Sequence, residues 1–104
     1  MNHITIAGRL VNEPVRKEAN GSVVTSFRLA SGRSGSKTGR LWLDVDTWGK
    51  LAGTCHQHLS KGRQVLVSGR LTQKQWADAD TGEKRSRLVV TARDVDFLTA
   101  PDPS

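Results

Sequence analysis

Hydrophobic and polar residues alternate along most of this chain, which is the pattern of β-strands that bury one face. In the first such segment Ile4, Ile6 and Leu10 fall on the same side. Four later segments alternate in the same way, so that the five predicted strands are residues 3–11, 23–29, 40–48, 63–76 and 86–98. Asn20-Gly21 favours positive φ and predicts a hairpin turn before the second strand.

The hydrophobic period changes once, in residues 50–62. There Leu51, Ala52, Cys55 and Leu59 recur at helical spacing, and Lys61-Gly62 ends the segment. Five strands with one short helix between the third and fourth is the order of an OB-fold, a small closed barrel that binds oligonucleotides. The predicted fold is therefore an all-β, five-stranded OB-fold barrel over residues 1–98, followed by a short disordered end at 99–104.

Charge adds a partner to this picture. The 104 residues carry a formal net charge of +6 at pH 7, and such a balance favours a polyanion, most commonly nucleic acid. Two long stretches, residues 20–43 and 47–77, contain no acidic residue. The single cysteine, Cys55, suits a reducing compartment. We find no signal peptide and no apolar run long enough for a membrane span, so we expect a cytoplasmic protein.

The three tryptophans stand among polar residues. In the third strand Leu43 and Val45, with Leu41, occupy odd positions and predict a core face, which puts Trp42 and Trp48 together on the opposite face. In the fourth strand Trp76 lies on the same side as Arg70, Thr72 and Lys74. Indole rings on basic faces offer stacking platforms for unpaired bases. The alternative is that the rings line the rim of a subunit interface.

Six segments carry a resemblance to a known family. In order they are "AGRL", "NGSVVTSFRLA", "LWLDVDTWGKLA", "HLSKGRQVLVSGRL", "QWADADTGEKR" and a closing "DFL". Together they span residues 1–98 and resemble the bacterial single-stranded DNA-binding protein (SSB) family. The resemblance implies a homotetramer of OB-folds that binds single-stranded DNA with little sequence preference during replication, recombination and repair. It implies no catalysis and no cofactor, and a nucleoid-associated location.

Site residues follow from the basic, aromatic faces and from the resemblance. The family's stacking aromatics correspond to Trp42, Trp48 and Trp76, and its phosphate-contacting bases to Lys50, Lys61 and Lys74. The complete predicted DNA-binding set is Trp42, Trp48, Trp76, Arg28, Lys37, Arg40, Lys50, Lys61, Arg70, Lys74, Arg85 and Arg87. An exposed first strand also predicts pairing between subunits through residues 2–11.

The sequence departs from the family pattern at three places. The loop "SGRSGSKTGR" lacks an aromatic residue. Asp44 and Asp46 share the face of Trp42 and Trp48, where the family tends to have basic or neutral residues; arginines on adjacent strands would have to neutralise them. The family typically ends in an acidic, Phe-tipped tail that recruits replication and repair proteins, and "TAPDPS" has neither feature. We therefore expect no tail-dependent recruitment by these residues.

Other chemistry was weighed against DNA binding. The two "DVD" pairs, at 44–46 and 94–96, suggest a Mg²⁺-dependent nuclease, but no catalytic base accompanies them. Cys55, His56 and His58 form too small a set for zinc, and Cys55 falls on the apolar stripe. We therefore predict no catalytic residue and no metal site. An OB-fold that binds RNA or a protein partner remains an alternative.

Overall fold

The computed structural model of the protein describes residues 1–32 and 39–98. The elements of the described part are β1 Ile4–Leu10, β2 Val15–Ala19, β3 Ser22–Ser31, β4 Leu41–Trp48, α1 Gly49–His58, β5 Gln64–Ala77 and β6 Lys84–Phe97. The helix lies between β4 and β5, where the change of hydrophobic period predicted it. It has ten residues, and nothing helical in the described ranges is long and apolar enough to cross a membrane.

Five strands close into a ring. The order β1-β5-β6-β4-β3 is completed by a pairing of β3 back to β1 through Arg9 opposite Ala30 and Leu10 opposite Leu29. All these pairings are antiparallel except that of β4 with β6, which run parallel over residues 44–46 and 89–91. The ring is formed by the five predicted strands, and the predicted OB-fold is confirmed.

Strand β2 lies outside the ring and was not among the predicted strands. It pairs only with β3, in register from Val15 opposite Ser26 to Ala19 opposite Ser22. The turn between them is the predicted one, because Asn20 and Gly21 have φ values of 52° and 79°. A two-residue turn of this kind matches the twist of a β-hairpin.

The core fills the inside of the ring with one side chain of each alternating pair. The cluster of buried residues is Leu10, Phe27, Leu29, Leu43, Val45, Cys55, Leu59, Val65, Val67 and Val90. Helix α1 covers β3 and is attached to it where the buried Thr25 hydroxyl donates a hydrogen bond to the Ala52 carbonyl at 2.8 Å. Cys55 therefore faces the core, as predicted. Burial raises the pKa of its thiol, and a hydrogen bond with Thr47 opposes this in part.

One predicted core position is wrong. Leu41 was assigned to the core face with Leu43 and Val45, but its side chain is 51% exposed. Leu41 is the first residue of β4, and the ladder between β3 and β4 ends at its partner Ser31. Its parity is that of the core face, but its position is at the end of the barrel.

The ribbon of β5 and β6 extends beyond the barrel. The two strands pair over their whole length, as far as Ala77 opposite Lys84, with one irregularity at Ser68/Gly69. Residues 72–77 and 83–88 are exposed on both sides of the ribbon. A strand with both faces exposed has left the core, so the distal ribbon is an arm that carries Trp76 into the solvent.

Candidate nucleic-acid interface

The outer face of β4 presents two indole rings. Trp42 is 47% and Trp48 is 43% exposed, whereas the side chains of opposite parity, Leu43 and Val45, are buried. This is the arrangement that the alternation predicted. The helix begins immediately after Trp48 and leaves about as much of this ring exposed as of Trp42. The face therefore offers two aromatic surfaces at opposite ends of one strand.

The third ring stands on the arm. Trp76 is 46% exposed and lies opposite Arg85, while Lys74 lies opposite Arg87. Directly paired residues in an antiparallel ladder project to the same face, so Trp76 shares one face of the arm with three basic side chains. The guanidinium carbon of Arg87 lies 5.7 Å from the centroid of the Trp76 ring. This is within the range of a cation–π contact.

A second arginine connects the arm to β4. The guanidinium carbon of Arg28, on β3, lies 5.6 Å from the centroid of the Trp42 ring. Between the two rings lies Asp44, whose carboxylate is 3.4 Å from Nε of Arg87 and 4.0 Å from Nε of Arg28. Trp42, Arg28, Asp44, Arg87 and Trp76 thus form one continuous surface across β3, β4, β6 and β5, which we call the Trp42–Trp76 strip.

The two aspartates of β4 differ in their partners. Asp44 is neutralised by the two arginines of the strip, which is the condition that its place beside the tryptophans required. Asp46 accepts a hydrogen bond of 2.7 Å from the Ser26 hydroxyl and forms no ion pair with another described residue. The acidic departure from the family pattern is therefore compensated by arginine at one position only.

The tip of the arm is organised by Asp78. Its Oδ1 accepts hydrogen bonds from the backbone N–H of Asp80 at 2.8 Å and of Thr81 at 3.3 Å, and its Oδ2 lies 3.4 Å from Nε of Arg85. These backbone hydrogen bonds, with a smaller contribution from Arg85, lower the pKa of Asp78. Glu83 also approaches Arg85, at 3.9 Å. The turn thereby holds Arg85 beside Trp76.

The remaining predicted residues lie apart from the strip. Lys50 is exposed in the first turn of α1, next to Trp48. Lys61 lies in the turn after α1, where its backbone N–H donates to the Glu13 carboxylate at 3.2 Å. Arg70 lines a separate depression with Met1, His3 and Arg93, and Arg40 lines another beside β1. Lys37 lies outside the described residues, as do residues 99–104.

Sequence reasoning missed three side chains beside Trp42. Gln73, Ser86 and Leu88 line the same depression as Trp42 and Arg87, and Leu88 is 37% exposed although it opens an apolar run. A signal for them existed in the polar hairpin loop. Once the loop fixes the register, each residue of β6 can be assigned its partner on β5, and Leu88 falls opposite Gln73.

The alternatives to DNA binding gain no support from the geometry. In the described part of the chain no group of three or more His, Cys, Asp or Glu side chains is placed to hold a metal ion. Asp44 pairs with Val89 in the β4–β6 ladder, whereas Asp94 and Asp96 lie beyond the end of that ladder. The two acidic pairs are not neighbours in the sheet. Cys55 is buried, whereas His56 and His58 are exposed.

An OB-fold with exposed tryptophans and arginines on one face defines a class of oligonucleotide-binding domains. Comparison with known proteins gives the family. Residues 1–98 match the model of the single-strand binding protein family, and the chain belongs to this family. This confirms the resemblance seen in the sequence.

Individual relatives agree with the family match. The chain is 38% identical to single-stranded DNA-binding protein 1 of Chlorobaculum tepidum, over 98% of this chain and 67% of that protein. It is 33% identical to single-stranded DNA-binding protein 1 of Synechocystis sp., over 94% of this chain and 84% of that protein. The crystal structure of the small single-stranded DNA-binding protein from Streptomyces coelicolor has the same fold, with a TM-score of 0.80 at 24% identity. That similarity covers 93% of this chain and 95% of the other.

Proposed function

We propose that this protein binds single-stranded DNA with little sequence preference and protects it during replication, recombination and repair. The observation that carries the proposal is the Trp42–Trp76 strip, in which two half-exposed indole rings each lie beside an arginine. Unpaired bases stack on such rings at roughly 1–3 kcal/mol per base, and every base has a π-face. The family membership and the names of the relatives support the same ligand.

The phosphates of the bound strand would follow the basic side chains around the rings. Lys74, Arg85 and Arg87 share the face of Trp76 on the arm, and Lys50 stands next to Trp48. Six residues of extended strand separate Trp42 from Trp48, which is about 20 Å. We expect Trp42 and Trp76 to contribute most to stacking, because they lie on one surface. Trp48 would extend the path of the strand towards α1.

Assembly is the second part of the proposal. The side of β1 that faces away from β5 is paired with β3 only at Arg9 and Leu10, so the backbone of Ile4 to Gly8 has a free edge in the described structure. Free edges of this kind pair with other chains. We propose a homotetramer built from dimers that join partly through residues 2–11. Sedimentation that shows a stable monomer at micromolar concentration would rule this out.

Tryptophan fluorescence tests the ligand. We expect a labelled or unlabelled oligo-dT to quench the emission strongly and a duplex of equal length to leave it unchanged, because paired bases hide their faces. An RNA oligonucleotide of the same length shows whether the 2′-hydroxyl is tolerated. Emission that ignores single-stranded DNA would contradict stacking.

Ring variants test the residues. Trp42→Ala and Trp76→Ala should each cost roughly 1–3 kcal/mol of binding free energy, and the corresponding Phe variants distinctly less, because a smaller ring still stacks. Both rings are half-exposed, so the variants should fold with unchanged stability and the loss can be assigned to binding. Normal binding by Ala variants at all three tryptophans would leave an interface role for the rings.

A further inference from the structure

Asp44 occupies the position that a phosphate would take in the Trp42–Trp76 strip. Its two carboxylate oxygens point to two different arginines, Oδ2 to Nε of Arg87 at 3.4 Å and Oδ1 to Nε of Arg28 at 4.0 Å. Both of these arginines also lie over an indole ring. The same two guanidinium groups are thus engaged by an internal anion at the surface that would meet the DNA.

The exposure of the three groups allows exchange. The side chains of Arg28 and Arg87 are 56% and 57% exposed, whereas that of Asp44 is 29% exposed. Solvent-exposed ion pairs are weak, because water screens them and long side chains lose freedom in them. A phosphate arriving from solvent can therefore compete for both guanidinium groups without entering the core. Arginine donors suit carboxylate and phosphate oxygens alike.

We infer that Asp44 is an internal competitor of the DNA phosphates. In the free protein it holds Arg28 and Arg87 in place beside Trp42 and Trp76, and it must release them when a single strand binds. The inference rests on the proposed binding of single-stranded DNA to this strip. Its consequence is that Asp44 lowers the affinity and limits the number of phosphates that the strip neutralises.

Asp46 provides a matched control. It lies on the same strand and the same face, two residues away, and carries the same charge, but its described partner is the Ser26 hydroxyl. Asp44→Asn and Asp46→Asn remove one negative charge each from nearly the same place. General repulsion of phosphates would make the two variants equal, whereas competition for the arginines makes Asp44→Asn bind more tightly.

The experiment is a titration of fluorescently labelled oligo-dT with each variant, followed by anisotropy of the label so that the readout is independent of tryptophan emission. Each exposed ion pair is worth up to about fivefold in an equilibrium constant. With two pairs released, Asp44→Asn should bind up to about twentyfold more tightly than the parent protein. Its salt dependence should be steeper, by about 0.7 in the log–log slope for each further phosphate neutralised.

A cycle of variants tests the route of the effect. In a background of Arg28→Gln and Arg87→Gln, Asp44→Asn should gain no more affinity than Asp46→Asn does, because no guanidinium is left to release. Thermal unfolding of every variant checks that the fold is intact. Equal gains for the two Asn variants in the parent background, or weaker binding by Asp44→Asn, would overturn the inference.

The proposed function can fail separately. If oligo-dT does not bind the parent protein, or if the tryptophan variants bind it normally, the strip is not the DNA site. If the parent binds and the tryptophan variants lose affinity while the two Asn variants stay equal, the DNA site stands and only the role of Asp44 falls.

Discussion

Gly69 fixes the geometry of the arm, and replacing it tests the structural basis of the site. It lies at the irregularity between β5 and β6, where Ser68 pairs with Asp94 but Gly69 pairs with Ala92. A Cβ added to Gly69 would overlap the Thr91 carbonyl oxygen and lie 2.9 Å from the Ala92 Cα. These are backbone atoms of the paired strand, which cannot rotate away as the end of a side chain could.

We therefore expect Gly69→Ala to be strongly destabilising. Overpacking a well-packed site costs about 1–3 kcal/mol, and a clash with backbone belongs at the upper end, near about 3 kcal/mol. In a domain of this size each kcal/mol lowers the melting temperature by about 4–8 °C, so the expected decrease is about 12–24 °C. Urea unfolding followed by circular dichroism gives the free energy of unfolding directly.

Gly53→Ala is the matched control. Gly53 lies inside α1, and a Cβ there would meet nothing within 4 Å. Alanine in a helix interior is better than glycine by about 0.5–1 kcal/mol, so this variant should be slightly more stable than the parent. A Gly69→Ala variant as stable as Gly53→Ala would refute the close approach of β6 to Gly69.

The same substitution reaches the DNA site. The irregularity lies between the barrel and the arm that carries Trp76, so a backbone shift at Gly69 moves Trp76 relative to Trp42. At a temperature where both glycine variants are folded, we expect Gly69→Ala to bind oligo-dT more weakly than the parent and Gly53→Ala to bind it equally well.

Three further predictions concern charge and burial. Lys50→Ala, Lys61→Ala and Lys74→Ala should each flatten the log–log salt dependence of binding by about 0.7 per phosphate lost without changing base preference; a slope that ignores all three puts the phosphate path elsewhere. Two backbone N–H groups lower the pKa of Asp78, so its stabilisation of the turn is complete above the unfolded value of about 3.9 and is lost as pH falls through the lower folded value. Amide exchange at the turn should accelerate over that range, and Asp78→Ala should abolish the pH dependence. Burial raises the pKa of Cys55, so a thiol reagent should label it only on unfolding; stoichiometric labelling of the native protein would contradict its burial.

Local patterns in the sequence determined the elements and their faces. Alternation is a property of the strand backbone itself, and it placed Trp42 and Trp48 opposite the buried Leu43 without knowledge of any neighbour. The Asn20-Gly21 turn was equally local, because it depends on the φ values that these two residues tolerate. The family resemblance also came from the sequence, since it needs only residue order.

Local patterns failed where an element ends. Leu41 has the parity of the core but lies at the last pair of the β3–β4 ladder, and Leu88 opens an apolar run on the projecting arm. Both side chains are exposed. Parity tells which way a side chain points, whereas burial also requires a neighbouring layer in that direction.

Only the tertiary structure decided which residues of different strands meet. Trp42 and Trp76 lie on one strip because β4 pairs in parallel with β6 and β6 pairs with β5. The contacts of Asp44 with Arg28 and Arg87 depend on the same two registers. The choice of a strand's neighbours is set by closing the ring around a shared core, and that closure depends on the whole chain at once. The sequence thus determined which side chains are presented to solvent, and the closed ring determined which of them act together.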